Sequence, residues 1–366
     1  MKLLLFSDLH LETPFRWAGS QAGRARRRRL RQVLGRIVEL ARREQVDAIL
    51  CGGDLYEQER FTPETVESIG RAFEAARPIP VFIAPGNHDW YGPESLYRHA
   101  RFSSNVHVFE EDRLRRVSLA EGITLWGAAH RAPANTDGFL DGFRVSGPGL
   151  HLALFHGSEG AFLARERAGK EPHAPFREDQ IREAGLRHVF AGHYHCPVDT
   201  DALTYPGNPD PLEFGEEGPR GAVIATVSPE GQVTQRRVPV ALSQVHDLPI
   251  DVSGCASVDE IQARVQEAIA GLEGIARVTL SGELARDVEL RAADLEAPEH
   301  LEAFRVVVSP ELRVGYDLDA IAAEATVRGQ FVRDVLEDGE LDEHDRRAVI
   351  VTGLRALEGR EDLEAL

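Results

Sequence analysis

Cysteine is scarce in this 366-residue chain: only Cys51, Cys196 and Cys255 are present, and they are scattered. So few thiols exclude a disulfide scaffold and a Cys-rich zinc site, and they fit a reducing, cytoplasmic setting. No apolar run approaches the ~20 residues of a membrane span, so no membrane segment is expected. Residues 1–6 carry a short apolar run before Ser7-Asp8. That run is too short for a leader core and has no small-residue cleavage site. Lysine stands only at positions 2 and 170, which leaves the positive charge to arginine. Arginine is a fixed bidentate donor to phosphate, although compositional bias is the simpler account here. Internal repeats and long low-complexity tracts are also missing. Hydrophobic residues make up 42% and charged residues 28%, which excludes a largely disordered chain.

Acid exceeds base, 60 residues against 42, for a net charge of −18. The excess is unevenly placed. Residues 1–240 carry 30 basic and 32 acidic residues; residues 241–366 carry 12 and 28. A uniformly acidic chain would repel phosphate backbones, but the first block is close to neutral. Length and charge together suggest two domains, 1–240 and a smaller acidic one at 241–366.

In the first block, short apolar runs end in chemically capable residues. Lys2–Phe6 precedes Ser7-Asp8-Leu9-His10, and Ala48–Cys51 precedes Gly52-Gly53-Asp54. Run 81–84 precedes Pro85-Gly86-Asn87-His88-Asp89, and 123–126 precedes Gly127. Run 150–155 precedes His156-Gly157, and 188–191 precedes Gly192-His193-Tyr194-His195. Such runs predict buried strands. Leu30, Val33, Leu34, Ile37, Val38 and Ala41 share one helical face. Thr62-Pro63-Glu64 starts a second helix. Alternating strands and helices predict an α/β fold, with ligands at the carboxyl ends of strands. Beyond Gly215, runs 222–227 and 233–240 read as a β-hairpin and 242–254 as a connector. The second block reads as α+β. A helix opens at the Ser257–Glu260 capping box. Strands at 276–280 and 304–308 flank an acidic, Ala-rich stretch, and two helices follow at 317–336 and 342–357.

The candidate ligands are Asp8, His10, Asp54, Asn87, His156, His193 and His195. Oxygen and nitrogen donors of this kind suit Mn, Fe or Zn. Seven are too many for one four-coordinate ion and enough for two. Asp-x-His and His-x-His place both side chains of each pair on one face of an extended segment. Any one of these residues alone reads as a turn residue or a satisfied core histidine. Five such motifs in order, each straight after an apolar strand, point to a metal site.

The series resembles the calcineurin-like metallophosphoesterase superfamily over the first 195 residues. The resemblance implies a double β-sandwich flanked by helices around two divalent ions. Asp8, His10 and His195 would hold the first, Asn87, His156 and His193 the second, and Asp54 would bridge them. A water between the ions would attack phosphorus in line. His88 would give a proton to the leaving oxygen, and Asp89 would orient or polarise His88 or serve as a plain turn residue. Gly52-Gly53-Asp54-Leu55-Tyr56 and Tyr205-Pro206-Gly207-Asn208-Pro209 with Leu212–Glu216 are similar to SbcD-like DNA repair exonucleases, especially the YhaO-type branch. Thr326-Val327-Arg328-Gly329-Gln330-Phe331 is similar to the same branch. That resemblance implies two ions, most readily Mn2+, a DNA substrate, an SMC-like ATPase partner of the SbcC type, and a homodimer. One departure stands out: Leu55-Tyr56-Glu57-Gln58 lacks the His that some relatives carry there.

Arg24, Arg26, Arg27, Arg28, Arg29 and Arg31 read as the solvated face of a helix. The alternative is contact with a phosphate backbone, for which Arg27 and Arg28 are candidates. Trp17 and Phe15 either stack on a base or belong to the core. His130 reads as structural or surface, and Cys51 and Cys196 as small buried side chains. The leading function is therefore a two-metal DNA exonuclease or endonuclease of the repair type. A small-molecule phosphodiesterase or phosphatase is the alternative, and a DNA- and ATPase-docking scaffold with a weak metal site is a third.

Overall fold

The computed structural model describes residues 1–133, 138, 140–163, 172–285, 288, 290, 291, 295, 296, 298–309 and 312–359. Lys170 and part of the acidic, Ala-rich stretch lie outside the described residues. The chain divides into two compact units, Met1–Gln244 and Val245–Leu366. The division falls beyond the expected 240/241 because the Leu242 and Ser243 N–H groups donate to Asp210 Oδ1, at 2.6 and 2.9 Å.

The first unit begins with β1 (Lys2–Phe6), α1 (Ser20–Glu44), β2 (Ala48–Cys51), α2 (Pro63–Ala75), β3 (Val81–Ile83), α3 (Leu96–His99) and β4 (Val106–Val108). It continues with β5 (Arg115–Ala120), β6 (Ile123–Gly127), β7 (Leu150–His156), α4 (Gly160–Leu163), α5 (Glu178–Glu183) and β8 (His188–Gly192). It closes with β9 (Val198–Asp199), β10 (Leu203–Tyr205), β11 (Gly221–Val227) and β12 (Val233–Pro239). Two six-stranded sheets result, ordered β12-β11-β1-β2-β3-β4 and β5-β6-β7-β8-β10-β9. The expected strands and the 222–240 hairpin are present, and α1 buries the expected stripe.

The sheets pack face to face. In the second sheet, Leu125, Leu152, Leu154 and Phe190 join the core built on Leu3, Leu5 and Leu50 of the first. Their alternate neighbours Trp126, Ala153, Phe155, Val189 and Ala191 face a separate cluster on the far side. This is the two-residue period of a strand buried on both faces. Parallel register aligns the strand ends, with Phe6 opposite Cys51, Cys51 opposite Ile83 and His156 opposite Gly192. The motif residues of both sheets therefore reach the same rim. There the sheets almost touch: a Cβ on Gly192 would lie 2.3 Å from Gly52 O.

The second unit comprises β13 (Val245–Asp251), α6 (Val258–Ile269), β14 (Ile275–Ser281), β15 (Glu283–Leu284), β16 (Ala303–Val308) and β17 (Arg313–Val314). Three helices follow, α7 (Leu318–Ala322), α8 (Val327–Leu336) and α9 (Glu343–Leu357). β13, β14 and β16 form a parallel sheet under the Ile261, Val265 and Ile269 face of α6. Two expectations change here. The 242–254 connector contains β13, an edge strand that tolerates Pro249 and whose polar residues hid it. The 317–336 helix is two helices, because the Thr326 side chain caps α8 by accepting from Gly329 N at 3.1 Å. Among the described residues no helix is long and apolar enough to cross a membrane.

This packing sets two stability outcomes. Gly192→Ala forces backbone against backbone, and thermal unfolding should report a loss of about 1–3 kcal/mol. His188 is buried, and desolvation lowers its pKa to about 4 while Nε2 sits 2.9 Å from Thr204 Oγ1. The unfolded value is ~6.5, so this stabilisation is whole above that pH and is lost as pH falls toward 4, by up to about 3 kcal/mol. His188→Gln should lose less stability than the parent between pH 7 and pH 5; an equal loss contradicts the assignment.

Candidate metal centre

The loops after β1, β2 and β3 are joined by backbone hydrogen bonds beyond the strands. Asp8 N donates to Gly53 O at 3.0 Å, His10 N to Asp54 O at 2.9 Å and Leu11 N to Leu55 O at 3.0 Å. Four non-glycine motif residues adopt positive φ: Asp8 (54°), His10 (47°), Asp54 (51°) and His193 (121°). Such conformations cost L residues energy and persist where the surroundings impose them. Here a turn straight after the strand sends the side chain across the rim.

Asp89 is the fastener. Its fully buried carboxylate accepts from Asp54 N (3.0 Å), Leu55 N (2.8 Å), Gly86 N (2.6 Å) and Tyr97 Oη (2.5 Å). Burial and the neighbouring Asp54 charge push its pKa up to about 6 against these donors. Asp89 is expected to orient or polarise His88. Its oxygens bond backbone and Tyr97 and not the His88 ring, so only its charge acts on that imidazole and the orienting role is corrected. Glu57 does that work: Oε2 lies 2.9 Å from His88 Nδ1, and Oε1 lies 2.8 Å from His10 Nδ1. Burial raises the Glu57 pKa, but the two imidazoles outweigh it and hold the carboxyl at about 2. His88 is 46% exposed. Desolvation lowers its pKa, while Asp54, Glu57 and Asp89 raise it more, to about 10.

The structure brings the seven expected donors to one place. Asp54 Oδ2 stands 3.2 Å from His156 Nε2 and 3.7 Å from His10 Nε2, while Oδ1 accepts from His88 N at 2.8 Å. Burial works to raise the Asp54 pKa, but His156, His88 and His10 drive it well below the ordinary carboxylate range. Burial lowers the His156 pKa, and the Asp54 charge overrides it to about 9. Asp8 accepts from His193 N at 3.1 and 3.2 Å. The His193 ring lies 5.2 Å from that of His156, and the His195 ring 5.1 Å from that of His10. Among the described residues three groups have ligand atoms within 4.8 Å of one another: Asp8-His10-His195, Asp8-Asp54-His156 and His10-Glu57-His88. His10 Nε2 and Asn87 Oδ1 are buried without a hydrogen-bond partner among the described residues. A cation answers that deficit, so the donor set fits divalent ions.

Outer contacts aim the imidazoles. His156 Nδ1 lies 2.9 Å from Gly52 O, and His130 Nε2 lies 2.9 Å from His156 O. His130 is thus a buried support. His195 Nδ1 lies 2.6 Å from Glu216 Oε1, and Asn208 Nδ2 donates to Glu216 Oε2 at 2.7 Å. Arg220 donates to Glu216 O at 2.8 Å and to His195 O at 2.7 Å. The 205–216 segment therefore braces a candidate ligand.

A cleft of ≈ 470 Å³ opens over the donors, and Arg16, Trp17, Glu57, His88, His173 and Glu213 are among its lining residues. Trp17 is half-buried in its wall, whereas Arg27 and Arg28 are not among the lining residues. Arg27 Nε lies 4.0 Å from Glu12 Oε2, and Arg28 is exposed. Arg26, expected on a solvated face, is 1% exposed and donates to Pro211 O. Cys51 is buried, but Cys196 is exposed, contrary to expectation. Sequence reasoning missed Glu57, Glu216 and His173. Glu57 was visible three positions after Asp54, but only as the lack of a histidine.

Clustered carboxylates, imidazoles and an amide at the rim of a two-sheet sandwich define a metal-binding hydrolase site. The pattern of calcineurin-like phosphoesterases matches residues 1–197. The chain belongs to that family and is a metallophosphoesterase. A curated relative, the uncharacterized metallophosphoesterase YhaO of Bacillus subtilis strain 168, is 25% identical over 278 residues. The match covers 72% of this chain and 64% of YhaO, so the chain spans less than two thirds of that relative. Two solved structures are also similar. TT1561 of Thermus thermophilus is 12% identical, with 64% of this chain and 98% of that one covered and a TM-score of 0.38. A dimetal phosphatase from Danio rerio is 11% identical, with 65% and 98% covered and a TM-score of 0.37.

Removing the shared acceptor tests the role of Glu57. Glu57→Ala should weaken Mn2+ binding by about 10–100-fold in a calorimetric titration, with Glu57→Gln between it and the parent. Unchanged affinity in both variants refutes that role.

Proposed function

We infer that the chain hydrolyses phosphodiester bonds of DNA with two divalent ions. Mn2+ is the first choice, and Fe and Zn suit the same donors. The observation that carries this reading is the half-exposed His88 imidazole, held by Glu57 at the mouth of the cleft beside Asp54. Asp8, His10 and His195 would hold one ion and Asn87, His156 and His193 the other, with Asp54 between them. Bound there, the ions lower the pKa of water and offset charge on the phosphoryl oxygens. Glu57 engages Nδ1 of His88 and leaves Nε2 for the leaving oxygen. The Asp54 and Glu57 carboxylates favour the protonated ring, so that nitrogen can carry the proton it gives. Glu57 and Glu213 line the cleft and oppose a dianionic monoester more than a monoanionic diester.

The SMC-like ATPase partner and the homodimer rest on the resemblance of segments 205–216 and 326–331. The acidic second unit supports a protein partner rather than a DNA contact there. Among the described residues, the groups able to hold an ion all fall in the first unit.

Mn2+-loaded protein should degrade DNA ends. EDTA should abolish this, and added Mn2+ should restore it. Asp54→Ala should remove activity, and His88→Ala should lower kcat by about 10²–10⁴-fold. Intact DNA alongside rapid turnover of bis-p-nitrophenyl phosphate would overturn the nuclease reading in favour of a small-molecule phosphodiesterase.

A further inference from the structure

One wall of the cleft is aromatic, and a buried cation holds it. The Trp17 indole lines the cleft, with Phe15 and Arg16 beside it in sequence and Leu212 and Glu213 in the same lining. Trp17 Nε1 donates to Leu212 O at 3.0 Å. The rings of Phe15 and Phe214 stand 5.6 and 5.5 Å from that of Trp17. The Arg26 guanidinium lies 5.3 Å from the Phe15 ring and 5.8 Å from the Trp17 ring, and it donates to Pro211 O. Burying a guanidinium is costly unless its contacts repay it. Here they fix three segments: the start of α1, the 13–17 loop and the 211–214 loop. The second loop is also tied to the metal donors, since Glu216 Oε2 accepts from Leu212 N at 2.5 Å and Oε1 reaches His195. The aromatic wall and the ligand His195 thus share one carboxylate.

An indole fixed at its N–H, with the Arg26 guanidinium over its ring and two phenyl rings beside it, keeps little freedom to lose on binding, which favours a stacking platform. Arg16 is exposed in the same cleft and offers a cation beside the indole. The Glu213 carboxylate accepts hydrogen bonds and repels phosphate, so a base edge suits its side of the cleft and a phosphate suits that of Arg16.

We propose that this wall is a nucleobase subsite: the unpaired base at a DNA end stacks on Trp17 while Arg16 takes the adjacent phosphate, so the enzyme selects ends whose terminal base is free. Arg26 and Glu216 are positioning residues for the platform. The proposal rests on the nuclease reading above and names the part of DNA that the site grips. Stacking of this kind tolerates every base, so the selection is for an unpaired end and not for sequence.

The test uses the Mn2+-loaded protein and two single-stranded oligonucleotides, one with ordinary terminal nucleotides and one with abasic terminal residues. Trp17→Ala should lower kcat/KM by about tenfold on the first and by less than twofold on the second. Trp17→Phe should recover most of the loss, which a merely structural defect would not show. Quenching of indole fluorescence by a phosphorothioate-ended oligonucleotide should disappear in Trp17→Phe. Arg16→Ala should weaken both oligonucleotides alike and flatten the salt dependence of binding. Equal losses for Trp17→Ala on the two ends, or no loss on either, overturn the subsite and leave the nuclease reading intact. If the parent cleaves neither oligonucleotide but turns over bis-p-nitrophenyl phosphate, both fall together.

Discussion

The near-contact of Gly52 and Gly192 sets the geometry of the whole site. Each ends a buried strand, and the two strands belong to different sheets. Donors carried by one sheet alone would line a flat rim. Sheets pressed backbone to backbone instead let His156 of one sheet meet Asp54 of the other at 3.2 Å. The contact also lets His156 Nδ1 use Gly52 O directly. A side chain at either position would part the sheets and separate the two halves of the donor set.

Around that contact a single device is repeated. The Nδ1 atoms of His10 and His88 are paired with Glu57, that of His195 with Glu216 and that of His156 with a backbone carbonyl. Each pairing fixes ring orientation and leaves the opposite nitrogen for chemistry. The same logic governs the backbone, where Asp89 gathers three N–H groups that the left-handed turns would otherwise leave unmatched. Buried charge accumulates here because carboxylates and imidazoles answer one another, while the atoms turned toward the cleft keep a deficit that a cation would fill. The aromatic wall continues the pattern, with Arg26 among ring faces and carbonyl oxygens.

Much of this could be read in the chain. Residues at the ends of apolar runs have nowhere to go except the strand rim, so Asp8, Asp54, Asn87, His156 and His193 were legible from position alone. The strands and α1 were legible because their apolar periods are strong. What the sequence hid depends on contacts distant along the chain. Nothing local marks Glu216 as the partner of His195, and nothing marks Arg26 as the one buried member of an arginine run. Asp89 looked like an aide to His88 because the two are adjacent, yet its bonded partners come from two loops and α3. β13 was hidden because an edge strand can carry Pro249 and polar residues that a central strand rejects.

Glu57 carries a consequence for how such an enzyme can change. One carboxylate holds both His10, proposed as a ligand, and His88, proposed as the proton donor, so neither can be adjusted alone. A cation held by His10 would draw on Glu57 through the ring and loosen its hold on the His88 proton. On those proposed roles, exchanging the metal would also retune the acid and move the working pH with it. Position 57 is pleiotropic: a substitution there is two lesions at once, and a single later substitution at His10 or at His88 cannot repair both.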